Sequence, residues 1–178
     1  MKGRTQTALL PLLVTAATLT GLLASAAAGS STQSAAGHGN LISGGELRTF
    51  SFTALRKADG TAAGQVEVKN RSLDVRAHID VDCLRFEAGS RAIVSGTITQ
   101  SSNPGLIVPG RIGVFGVEDN GEGEAAPADR ITTIPDYAPP KSCNEFTFVG
   151  STLRDVANAS VVVRTLTPIV NGNIQVQP

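Results

Sequence analysis

Three groups of residues in the 178-residue chain have the types and spacing to do chemistry. The first lies in LDVRAHIDVDC, residues 73–83, whose even positions include His78, Asp80 and Asp82. On a strand, side chains two apart share a face and stand about 6.5–7 Å apart along it. A histidine and an aspartate so placed can reach one metal ion if a neighbouring strand adds a third ligand, which would suit a metal-dependent hydrolase. The competing reading is a solvated strand face, with Arg76 neutralising Asp74 or an acid on the next strand. No third ligand can be picked out, so the wet face is the preferred reading.

The second group is the acidic loop from Glu118 to Asp129, with Asp119, Glu122, Glu124 and Asp129 as candidate calcium ligands. Calcium takes six to eight oxygens, and carboxylates on a Gly-rich loop can supply them. The spacing is not that of an EF-hand, which begins with a run of alternating acids. The simpler expectation is a hairpin loop turned at Asn120-Gly121 with its acids in water. No cofactor other than this calcium is suggested.

The third group is the pair Cys83 and Cys143. These are the two cysteines of the chain, so an oxidising compartment would join them in a disulfide. A reactive thiol would need a base nearby, and the disulfide is the preferred reading. Other chemistries have little support. No G-x-S-x-G is present, and His38 and His78 are the only imidazoles. With no Trp, one Tyr and six Phe, the chain is poor in the flat rings that line sugar-binding clefts. A non-enzymatic protein is expected.

The elements that would position these residues are short and β-prone. Phe50 and Phe52 alternate with Ser51, and Val66 and Val68 with Glu67. Turn signals separate the runs at KADGTAAG, NRS, EAGS and NPG. Asn171-Gly172 reads as the turn of a closing hairpin. STLRDVANA, with Leu153 and Val156 three apart, has room for one or two helical turns at most. The alternation breaks at Cys83, beyond which the large apolar residues Leu84 and Phe86 fall on even positions. A slip of one residue would turn the core face outward, so a bulge or bend is predicted there. About nine or ten strands with Gly and Pro between them predict an all-β antiparallel sandwich, or a barrel-like relative of it.

The start of the chain reads differently. Lys2 and Arg4 precede an apolar run from Ala8 to about Leu23, and small residues follow at Ala24, Ala26 and Ala28. This is the pattern of a cleaved signal peptide over 1–28. Residues 29–43 read as a flexible leader, and 44–178 as a single β-sandwich domain. Of the 15 Lys and Arg, Lys2 and Arg4 lie in the signal segment, so 13 remain against 15 acidic side chains. That balance offers no field for nucleic acid, and no second apolar segment is long enough to span a membrane. The expected product is secreted and soluble.

Four pieces carry a resemblance: GGELRTFSFTALRKADGTAAGQVEV, VDCLRFEAGSRAIVSGTIT, VEDNGEGEAAPADRIT and NGNIQVQ. In that order they resemble a family of small exported bacterial proteins of uncharacterised function, chiefly actinobacterial. The resemblance covers most of residues 44–137 and the C-terminal segment, and implies an extracellular all-β domain without implying catalytic residues. The resulting expectation is an extracellular binding or structural module. Its partner would be an unidentified extracellular protein or cell-wall component, met by flat strand faces or by the loops around 100–110 and 118–140.

Overall fold

The computed structural model describes residues 33–157 and 162–178. The signal peptide expected over 1–28 lies outside the described residues. Twelve strands follow in order. They are β1 (Ser34–Ser43), β2 (Glu46–Arg56), β3 (Ala62–Asn70), β4 (Val75–Glu87), β5 (Arg91–Ser101), β6 (Ile112–Glu118), β7 (Arg130–Ile131), β8 (Asp136–Tyr137), β9 (Phe146–Val149), β10 (Thr152–Asp155), β11 (Val162–Thr165) and β12 (Thr167–Gln177). A three-residue 3-10 turn, Cys143–Glu145, precedes β9.

The sheet closes on itself. Its order is β5-β4-β3-β2-β1-β12-β7-β6, and β6 pairs back to β5, giving a closed antiparallel barrel of eight strands. All its pairings are antiparallel, so the expected class holds in its barrel form rather than as two stacked sheets. Closure removes the open edges that a sandwich would have to protect. β8 extends β6 beyond the barrel, and β9, β10 and β11 form a separate three-stranded sheet.

Residues 34–43, expected to be flexible, are β1, one of the barrel strands between β2 and β12. Its interior positions are Ala35, Gly37, Gly39 and Leu41. A Cβ at Gly37 would meet Phe52 at 2.8 Å and Ile174 at 2.9 Å, so the small residues make room for larger ones from neighbouring strands. Ser34 stands opposite Gln177, which brings both ends of the barrel chain to the same rim. β12 is another correction. Asn171-Gly172 does not turn a hairpin; β12 runs straight through it and pairs with β1 along its length, with an irregularity opposite Asn40/Leu41. Gly172 takes a positive φ of 106° within this strand. Asn-Gly tolerates that backbone in a bulge as readily as in a turn.

The barrel core includes Phe50, Phe52, Ile79, Leu84, Val94, Phe115, Val117, Ile131 and Ile174. Phe52 and Phe115 meet edge to face at 5.2 Å. Full burial of each such ring contributes about 1.5–3 kcal/mol. The predicted irregularity in β4 is present. The β4–β5 register shifts between Val81 and Cys83, moving the interior face from Ile79 and Val81 to Leu84 and pointing Cys83 outward.

A second apolar cluster lies outside the barrel wall. There Ile93, Ile112 and Val114 from β5 and β6 pack against Cys143, Phe146, Leu153 and Val163. The Cys83–Cys143 disulfide pins this layer, with Cα atoms 5.7 Å apart, and Cys143 N–H donates to Ser95 Oγ at 2.9 Å. Leu153, in the stretch with room for one or two helical turns at most, is a strand residue of β10, fully buried in this layer.

Candidate functional site

The two sequence-derived metal candidates fare alike. β4 alternates buried Ala77, Ile79 and Val81 with outward-facing His78, Asp80 and Asp82. This is the wet face of the barrel. Asp82 accepts a long hydrogen bond from Ser95 Oγ at 3.5 Å. Partial burial of its carboxyl raises it from its ordinary value, against that bond. The structure adds a relationship the spacing could not show. Through the ladders His38–Ser51, Ser51–Glu67 and Glu67–His78, both histidines stand in one transverse row. Three strand spacings separate them by roughly 14 Å, too far to share an ion. Among the described residues no group of three or more His, Cys, Asp or Glu side chains could hold a metal.

In the acidic loop, the carboxylates of Asp119 and Asp129 are turned to backbone work. β12 pairs with β7 at Thr167–Ile131 and Pro168–Arg130. Further along β12, the ladder is replaced by side chains. Asp129 accepts the N–H of Ile174 at 2.7 Å and that of Asn120 at 2.8 Å. Asp119 accepts Val176 N–H at 3.0 Å and Gly121 N–H at 2.8 Å. Glu122 accepts from Asn173 at 2.9 Å, and Glu124 is exposed. These acids close the seam of the barrel and do not converge on one point.

The concave site lies at the opposite end. A pocket of about 270 Å³ opens at the mouth beside the 102–111 loop. Separated stretches of the chain build it. β1 and β2 contribute Leu41 and Phe50, β3 contributes Val68, the 102–111 loop Ile107, β7 Ile131, the β7–β8 connection Ile134, and β11 Arg164. The pocket exists because the β7–β8 connection follows β6 rather than β12. Thr132 N–H donates to Gly116 O at 2.9 Å, and Val114 N–H to Pro135 O at 3.2 Å. Led along β6, residues 132–136 line the wall of the pocket.

The wall is mainly aliphatic and its rim is charged. Arg48 pairs with Glu46 at 2.8 Å, Lys69 with Asp74 at 3.1 Å, and Asp136 with Arg111 at 3.0 Å. Hydrogen bonds from Asn70 and Arg48 hold the Glu46 carboxyl below its ordinary value. Leu73 and Leu106, each 53% exposed, flank the opening. No nucleophile–imidazole pair lies in this wall; its hydroxyls are those of Thr49, Thr132 and Thr133, and both histidines are elsewhere. No sequence signal marked the pocket, since its residues come from stretches up to 123 positions apart, Leu41 and Arg164 being the extremes.

Fold and site together define a closed eight-stranded barrel with a small apolar pocket at one end, the part of such barrels where ligands are held. No protein-family model matches the chain, and no curated protein or solved structure does either. Among the described residues no helix is long and apolar enough to cross a membrane.

Proposed function

We propose that this chain is a secreted, non-enzymatic binding module that holds a small, largely apolar molecule in the mouth of its barrel. The observation that carries the reading is the pocket of about 270 Å³, walled by Leu41, Phe50, Val68, Ile107 and Ile134. A cavity of this kind favours an apolar guest because filling it restores contacts that the lining otherwise lacks. The polar groups at its edge are the ion-paired Arg48, Lys69 and Asp136, the exposed Arg164 and threonine hydroxyls, which can orient a guest.

Export is supported by the signal-like segment over 1–28 and by the disulfide, which an oxidising compartment maintains. It also accords with the resemblance to exported bacterial β-domains. The exposed Leu106 and Val108 on the 102–111 loop are the natural contact points for a cell-wall or protein partner presenting the guest.

The test is direct. Protein recovered from the producing culture is examined by native mass spectrometry, before and after organic extraction, and titrated with apolar probes. A bound small molecule, or saturable one-to-one probe binding that Ile134→Trp blocks, supports the reading. Probe binding unaffected by Ile134→Trp, or no binding by any probe, sinks it.

A further inference from the structure

The rim of the mouth pocket narrows the class of guest, and this inference rests on the binding reading above. We propose that the pocket takes a short amphiphilic anion, with its hydrocarbon part inside and one carboxylate at the rim. The size follows from volume. A dry cavity of about 150 Å³ accepts benzene, so a pocket of about 270 Å³ has room for about ten non-hydrogen atoms. That is the size of an eight-carbon fatty acid.

The sign follows from the charges. Arg48, Lys69 and Arg164 line the pocket together with one carboxylate, Asp136. The partners of these groups outside the lining are Glu46 for Arg48, Asp74 for Lys69 and Arg111 for Asp136. After these pairings one cation is left in excess, and it is Arg164. Its guanidinium donates to the carbonyl of Val163 at 2.7 Å and remains exposed at the rim. A chain with a formal net charge of zero thus places one unpaired arginine beside an apolar cavity. Arginine offers a carboxylate two parallel N–H donors, a geometry that a neutral hydroxyl cannot exploit. Leu73 and Leu106 beside the opening give the first carbons of the guest an apolar lip.

The experiment compares three eight-carbon probes by isothermal titration at low salt: octanoate, octanol and octyltrimethylammonium. Octanoate should bind one to one, at least about tenfold more tightly than octanol, the difference expected of a charge-assisted hydrogen bond over a neutral one. The cationic probe should bind weakest. Arg164→Gln should bring octanoate down to the affinity of octanol and leave octanol unchanged. Equal affinity for octanoate and octanol, or an unchanged octanoate affinity in Arg164→Gln, would overturn the anion assignment while leaving the pocket reading intact. No binding of any probe would overturn both. Ile134→Trp and Val68→Phe each fill the cavity, with folding checked by circular dichroism. Octanoate binding that persists in a folded filler would overturn the assignment of the site.

Discussion

The Asp129 carboxylate meets the backbone N–H of Ile174 at 2.7 Å across the seam between β12 and the acidic loop. A side chain here does the work of a neighbouring strand. Asp129 is 6% exposed and Ile174 is fully buried, so the N–H has no water to turn to. Asp129→Ala should therefore cost about 1–3 kcal/mol, the penalty for an unsatisfied buried donor. Asp129→Asn keeps one acceptor oxygen and should cost less. Urea unfolding of the three proteins checks the order. If the seam is the role of these acids, calcium should leave the wild-type melting temperature where it is in chelator. A calcium-dependent rise that disappears in Asp129→Ala would instead make the loop an ion site.

The disulfide predicts a different pattern. Cys83 and Cys143 are 60 residues apart, and a loop of that length stabilises the folded state by about 4 kcal/mol on the chain-entropy account. Replacing both with Ala should lower stability by about that much. The loss should fall first on the layer of Phe146, Leu153 and Val163. Hydrogen exchange would show it as early opening of β9–β11 with the ladders of β1–β4 still protected.

Phe148 sits over Gly116. A Cβ at Gly116 would lie 2.3 Å from the far end of that ring, closer than atoms can approach. Gly116→Ala should destabilise by about 1–3 kcal/mol through overpacking. The same change in a Phe148→Ala background should cost much less, because the obstacle is gone. A double-mutant cycle measures the coupling, and additive costs would refute the contact.

Glu46 links stability to acid. Its carboxyl is held below the ordinary value of 4.5, first by the Asn70 hydrogen bond and then by Arg48. A carboxyl lowered on folding contributes stability that is present above the unfolded value and lost as pH falls through the folded one. Between pH 7 and 5 wild type and Glu46→Gln should differ by a constant amount, and the gap should shrink below about pH 4.5. Denaturant midpoints at stepped pH test it; a gap that is constant down to pH 2 would refute it.

Much of the barrel was readable because alternation and turn chemistry agree over residues 46–101. The wet face of His78, Asp80 and Asp82 and the irregularity at Cys83 both follow from side-chain parity, which a strand cannot hide. β1 was not readable. Its interior Gly37 lacks a side chain because Phe52 and Ile174 fill the space beside it, and Gly39 because the backbone of Asn171 comes close; both causes lie on other strands. Gly172 misled for a related reason, since a bulge and a hairpin ask the same freedom of a glycine. The pocket was least visible, because Ile134, Val68 and Arg164 become neighbours only when the barrel closes and the β9–β11 sheet packs beside it.

The pairing of Ser34 with Gln177 has a practical outcome. Both residues stand at the end of the barrel remote from Leu41 and Ile107. A bead, an affinity handle or a fused fluorescent protein joined beside Gln177 would therefore hang from the base of the cup and leave its opening unobstructed.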